Sequence, residues 1–163
     1  MIHSAMGGLH AFAALAAILL GLVVILLPKG RALHRLLGLT YIFSMLTTCI
    51  SALLLYGMTG HFGLFHFFAV VSLISVTAGL IQPIFRRPDW MRRHLIWLAW
   101  SYLGLLAAAA TEAAIRLPML KHLANGETFL LGGAIGVAAM VIGWSMMPHW
   151  TRKALGGVSA SRN

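Results

Sequence analysis

Five long apolar runs divide this chain of 163 residues, and each is long enough to cross a lipid bilayer. A membrane-spanning helix needs roughly 20 apolar residues. Because lipid offers the backbone no hydrogen-bond partners, such runs must be helical. The sequence therefore predicts an all-α, polytopic membrane protein with one transmembrane domain over residues 1–150 and a short tail over 151–163. The expected spans are about 9–27, 36–56, 62–81, 95–115 and 128–147.

Composition supports this class of protein. Hydrophobic residues make up 60% of the chain and charged residues 9%. A soluble domain is typically about 45–50% apolar and about 25% charged. A water-soluble monomer is excluded because so few charges cannot cover so much apolar surface. Intrinsic disorder is excluded as well, since disordered chains have low hydrophobicity.

The net charge of +9 is carried by short loops rather than by one soluble face, which argues against nucleic-acid binding. Ten of the 12 Lys and Arg residues lie in the first loop, the third loop and the tail. By the positive-inside rule, these segments are cytoplasmic and the N-terminus is outside. We therefore expect a multi-pass protein of the cell (inner) membrane. Four prolines are expected to end spans: Pro28, Pro83, Pro118 and Pro148.

The first two spans resemble the next two. His10 and His66 lie near the start of the first and third spans, and each of these spans is followed by a proline and basic residues. His34 and His94 then begin the second and fourth spans. Both halves run in the same direction, so the pattern predicts a parallel repeat. The expected architecture is a four-helix core built from two helix pairs, with one extra helix.

The repeat sorts four of the eight histidines into two layers. His10 and His66 would lie near the outer face, and His34 and His94 near the inner face, each pair on neighbouring helices. Two neutral imidazoles approaching one iron from opposite sides form a bis-histidine haem site. The sequence therefore predicts haem b at the outer pair and a second haem at the inner pair. Contact with lipid headgroups remains the alternative for the inner pair.

Haem also requires space and counter-charges. Small residues follow the histidines on one helix face, namely Ala14, Ala17 and Gly21 after His10. Gly38 follows His34 by four positions and lies on its face. Arginines at the inner mouth suit the haem propionates. These arginines are Arg31, Arg35, Arg92 and Arg93.

Glu112 is the only carboxylate within a span, and an acid inside a membrane is a functional candidate. Helical spacing places it on the same face as His94, Ser101 and Leu105, near the outer layer. It could accept a hydrogen bond from a ligating histidine and so fix the orientation of that imidazole. A zinc or copper site with His10, His66 and His61 is a second interpretation, and an ion pair with Arg116 is a third.

The last span carries small residues at Gly132, Gly133, Ala134 and Gly136, which favours helix packing over a ligand site. No nucleotide-binding, nucleophile-elbow or zinc-protease motif occurs in the sequence. The sequence therefore leaves open whether the protein is an enzyme.

Two strings carry a family resemblance. One is His34-Arg35-Leu36-Leu37-Gly38-Leu39-Thr40-Tyr41. The other is Arg93-His94, followed by Ser101-Tyr102, Glu112 and Arg116-Leu117-Pro118. They resemble a bacterial family of predicted multi-span membrane proteins, catalogued as a domain of unknown function. The resemblance covers about His10 to Pro118 and implies the topology without an established activity.

A looser resemblance is to two-haem transmembrane b-type cytochromes that use ascorbate. Their four-helix core holds one bis-histidine haem near each face, on alternate helices. This likeness implies a carrier that passes electrons between a quinone-type or other small reductant and an acceptor. Two other hypotheses remain open: a non-haem metal site, and an accessory subunit that packs in a homodimer or a larger membrane complex.

Overall fold

The computed structural model describes residues 5–55, 62–116 and 125–160, and these residues form five α-helices. The helices are α1 (Ala5–Leu26), α2 (Ala32–Leu54), α3 (Leu64–Phe85), α4 (Trp90–Arg116) and α5 (Asn125–Ala160). No strand occurs in these ranges. The all-α prediction is therefore confirmed for the part of the chain that the structure describes.

Helices α1 to α4 are each long and apolar enough to cross a membrane. Large apolar side chains cover their outward faces; Phe12, Leu26, Phe43 and Phe85 are each at least 67% exposed. Such a surface is incompatible with water and fits contact with the lipid bilayer. A membrane crossing by α5 and the orientation of the termini stay predictions.

The first four helices form a ring. Helix α1 packs along α2, α2 along α3 and α3 along α4, while α4 also touches α1 and α5 packs against α4. The helices that carry each histidine pair, α1 with α3 and α2 with α4, therefore face each other across the ring. The expectation that paired histidines lie on neighbouring helices is wrong, because the strongest packing joins consecutive helices.

The ring has two distinct ends. The starts of α1 and α3 meet the ends of α2 and α4 at one end, which we call the cavity end. The opposite end holds the basic loops at residues 27–31 and 86–89, and we call it the basic end. The Nζ of Lys29 donates to the carbonyls of Val24, Ile25 and Leu27 at 3.2, 2.5 and 3.1 Å, capping α1. Partial burial lowers the pKa of Lys29 below 10.5.

Two of the four prolines do not end helices as expected. Pro83 lies inside α3, which continues to Phe85, and Pro148 lies inside α5, which continues to Ala160. Proline is tolerated in membrane helices where neighbouring groups satisfy the freed carbonyl. Most of the stretch after Trp150, predicted as a short tail, continues helix α5. Pro28 does follow the end of α1, and Pro118 lies outside the described residues.

A tyrosine layer fills the middle of the ring. The hydroxyl groups of Tyr41 and Ser101 are hydrogen-bonded at 2.8 Å, and the Tyr102 hydroxyl donates to the Ile18 carbonyl at 3.1 Å. The two tyrosine rings meet edge to face, with centroids 6.3 Å apart. Gly21 admits these rings, because a Cβ there would lie 2.5 Å from Cε2 of Tyr102. The tyrosine layer separates the cavity end from the basic end.

The small-residue face of α5 packs within the chain, as predicted. A Cβ on Gly136 would lie 2.8 Å from Oγ1 of Thr111 and 3.2 Å from the Ala107 carbonyl, both on α4. A Cβ on Gly133 would lie 2.8 Å from Leu64 of α3. Close backbone approach of this kind is the usual role of small residues in membrane helices. Gly133 and Gly136 are therefore covered by the chain's own helices, whereas Ala134 is exposed.

Candidate functional site

A cavity of about 270 Å³ opens among the helices at the cavity end. Its walls are mainly apolar, with Met45, Phe68 and Leu105 among its lining residues. Three of the predicted site residues also line it: His10 from α1, His66 from α3 and Glu112 from α4. The helical phase expected for Glu112 is confirmed, because Ser101 and Leu105 on the same face are 0% and 5% exposed.

His10 is held by Ser51 of α2. Its Nδ1 lies 3.0 Å from the Ser51 hydroxyl oxygen. The single proton of that hydroxyl has the carbonyls of Thr47 and Thr48 as acceptors, at 2.7 and 3.0 Å. With this proton directed to a carbonyl, the hydroxyl oxygen accepts from His10, and on this basis we assign the imidazole proton to Nδ1. Nε2 of His10 then carries a lone pair and acts as an acceptor.

In His66 the imidazole proton is assigned to the other ring nitrogen, Nε2. This residue occupies the third position of α3, where the backbone N–H of Gly63 donates to its Nδ1 at 3.2 Å. The first N–H groups of a helix have no helical partner, so a side-chain acceptor is favoured there. A neutral imidazole that accepts at Nδ1 carries its proton on Nε2. The ring is 4% exposed and packs on Phe62, with centroids 5.2 Å apart.

The cavity-end pair does not fit haem. An iron-ligating histidine binds through a nitrogen lone pair and donates its other ring N–H to a neighbour. His10 has this arrangement, but His66 accepts where it should donate. The expected space along α1 is also missing, because Ala17 is 0% exposed and the tyrosine rings fill the side of Gly21. Ala14 alone of those three small residues lines the cavity.

A zinc or copper site is not supported at this end either. Within residues 5–55, 62–116 and 125–160, no three His, Cys, Asp or Glu side chains are placed to hold a metal ion. His10, His66 and Glu112 line one cavity without forming such a group. His61, the other expected ligand, and the side chain of Arg116, the expected ion-pair partner of Glu112, lie outside the described residues.

At the basic end, backbone carbonyls near the ends of α1 and α3 accept from side-chain donors. Nδ1 of His94 donates to the Gly79 carbonyl of α3 at 2.9 Å. The Val24 carbonyl of α1 accepts from Nζ of Lys29 at 3.2 Å. His34 is partly buried, and its Nδ1 has no hydrogen-bond partner in the described part of the chain. Helix α4 thus anchors its histidine on α3, the first helix of its own pair.

Two prolines explain why those carbonyls are available. In an α-helix the carbonyl of one residue accepts from the N–H four residues later. Four residues after Val24 is Pro28, and four residues after Gly79 is Pro83. Proline has no N–H, so both carbonyls lack their helical donor. His94 supplies a donor to Gly79 and Lys29 supplies one to Val24, so the repeated proline leaves a carbonyl that takes a side-chain donor in each helix pair.

Because Nδ1 of His94 donates to Gly79, the neutral ring keeps a lone pair on Nε2. A Cβ on Gly38, one turn after His34, would meet nothing within 4 Å, so that helix face borders open space. Arg35 and Arg93 are exposed nearby, and Arg93 donates to the Pro88 carbonyl.

The four histidines were identified from the sequence, but the groups that orient their rings were not. Ser51, the Gly63 N–H and the carbonyl of Gly79 were not candidates. The last could have been found, because a proline always removes the donor for the carbonyl four residues earlier. The only sign of the tyrosine layer in the sequence is that Tyr41 follows His34 at nearly the same spacing as Tyr102 follows His94.

Comparison with known proteins agrees with this architecture. A family model described as predicted membrane protein (DUF2306) matches residues 7–151. No curated protein and no solved structure matches the chain. The family match supports the first resemblance drawn from the sequence and does not bear on the looser likeness to cytochromes. Since the match covers most of the chain, the protein belongs to the DUF2306 family of predicted membrane proteins.

Proposed function

We propose that this integral membrane protein is a b-type electron-transfer protein whose haem is held at the basic end by His34 and His94. One observation carries the proposal: the His94 imidazole donates Nδ1–H to the Gly79 carbonyl and keeps a lone pair on Nε2, while the buried Nδ1 of His34 has no hydrogen-bond partner in the described part of the chain. This is the arrangement of histidines that bind metal, because the donated hydrogen bond fixes the tautomer and the ring orientation.

The surroundings of the basic-end pair support haem in particular. The site would need counter-charges for two propionates, and Arg35 and Arg93 lie at the same end of the ring. Arginine suits carboxylates because its planar group can donate two parallel hydrogen bonds. The open space beside Gly38 leaves room for a flat ligand next to His34. When bound, haem supplies reversible one-electron chemistry, and the protein supplies ligation, orientation and a dry environment.

The test is the visible spectrum of the full chain purified in detergent. We expect a sharp, reducible band typical of bis-histidine haem, and its loss in His94→Ala. His149→Ala is the matched control, because His149 is exposed on α5, outside the ring of four helices that carries the pair. The melting temperature of each variant, measured in the same detergent, separates loss of haem from loss of the fold.

Two outcomes would contradict the proposal. A colourless protein from cells that are supplied with haem would exclude haem as its group. A pigment that persists in folded His94→Ala would show that the basic-end pair does not hold it.

A further inference from the structure

The cavity at the other end of the ring presents a donor and an acceptor on facing helices. His66 on α3 carries its imidazole proton on Nε2, and His10 on α1 carries a lone pair on Nε2, as their contacts with Gly63 and Ser51 assign. Both side chains line the cavity, together with Glu112. Complementary polar groups in an otherwise apolar pocket are the usual means of fixing a ligand's orientation.

We infer that this cavity binds the ring of a quinone-type molecule. A quinone carbonyl accepts a hydrogen bond, which His66 can donate. The hydroxyl of the reduced ring donates one, which Nε2 of His10 can accept. The reduced ring, with a hydroxyl at each edge, therefore matches both histidines, and the oxidised ring accepts from His66 alone.

Cavity size and wall chemistry agree with this ligand class. Pockets for drug-sized molecules occupy roughly 300–1,000 Å³. A cavity of about 270 Å³ lies just below that range, so it admits a single-ring or two-ring head group and not a porphyrin. Met45, Phe68 and Leu105 supply the apolar contacts for the ring. The cavity lies among membrane-crossing helices, where a lipid-soluble molecule is concentrated.

The inference concerns a different site from the proposed haem and stands without it. The experiment is titration calorimetry of the purified full chain with menadione in detergent, with detergent alone as the blank. We expect saturable binding at one site, weakened about tenfold in His66→Ala, the effect of losing one hydrogen bond in a closed pocket. His149→Ala should bind like the unmodified protein.

A second variant separates loss of the ligand contact from misfolding of the His66→Ala protein. Ala14 lines the cavity without contributing a polar group, so Ala14→Leu should fill the cavity and abolish binding while both histidines remain. Equal affinity in the unmodified chain, Ala14→Leu and His66→Ala would overturn the inference, as would the absence of saturable binding. Absence of menadione binding in the unmodified chain, with an intact haem band, would refute this inference alone and leave the proposed function standing.

Discussion

The cavity-end and basic-end histidine pairs occupy equivalent places in the helix repeat but are oriented by different backbone groups. At the cavity end, the Gly63 N–H donates to Nδ1 of His66, so the ring carries its own proton on Nε2 and can donate there. At the basic end, the Gly79 carbonyl accepts from His94 and leaves a lone pair on its other side. The comparison teaches that the backbone partner, more than the residue type, decides what an imidazole can do.

The difference follows from where each histidine lies relative to helix ends. His66 is in the first turn of α3, where backbone N–H groups lack helical acceptors. His34 and His94 lie beside the proline-containing ends of α1 and α3, where carbonyls lack helical donors. One end of the ring thus offers surplus donors and the other surplus acceptors.

The largest expected effect is that changing the histidines at one end affects the ligand of that end and leaves the ligand of the other end bound. Replacing both His34 and His94 by alanine should remove the haem band completely and leave menadione binding unchanged. Replacing both His10 and His66 should weaken menadione binding at least as much as His66→Ala and leave the haem band at full height. Visible spectra and calorimetry on the same preparations check this. Parallel loss of both ligands in either double variant would break the comparison.

The next effect tests the proline mechanism. Pro83→Ala restores an N–H that competes with His94 for the Gly79 carbonyl, so the ring loses its fixed orientation. Loss of such a supporting hydrogen bond typically weakens metal binding by about 10- to 100-fold. Competition for haem by apomyoglobin measures the change. Pro148→Ala in α5 is the matched control, and equal haem affinity in both variants would refute the mechanism.

The tyrosine layer gives a stability effect of intermediate size. Gly21→Ala places a methyl group 2.5 Å from the Tyr102 ring and 3.0 Å from the Tyr41 ring. Overpacking of this kind costs about 1–3 kcal/mol. Thermal unfolding in detergent should show a clear fall in melting temperature. Gly38→Ala meets nothing within 4 Å, so the haem-free protein should keep or slightly raise its melting temperature.

The smallest effect concerns Lys29, which caps α1 at the basic end. A cation at a helix C-terminus contributes about 0.3–1 kcal/mol. Lys29→Met should therefore lower the melting temperature by at most a few degrees, with both ligands still bound. A loss of haem in this variant would instead mean that Lys29 contacts the propionates directly.

Much of the fold was predictable because hydropathy determines where a chain can cross a membrane. The four spans of the ring and the packing role of the small residues in α5 followed from that pattern. The ends of α3 and α5 were not predicted, because Pro83 and Pro148 are accommodated inside helices. The space expected beside Ala17 and Gly21 was filled by tyrosines from α2 and α4, which one helix's sequence cannot reveal.

For the candidate sites, the sequence supplied the residues and not their protonation. Nothing in the spacing of His10 and His66 indicates that one accepts and the other donates. That difference depends on Ser51, far along the chain from His10, and on the backbone at Gly63. Only the repeated proline could have pointed to the anchor of His94 at the basic end.

The most direct test of the account is the number of haems per chain in the purified, haem-saturated protein. It is measured by pyridine haemochrome absorbance against amino-acid analysis. We predict one b-type haem per chain, since His66 at the cavity end presents an N–H where an iron ligand needs a lone pair. A ratio of two would contradict the assignment of the cavity end, and a ratio of zero would contradict the assignment of the basic end.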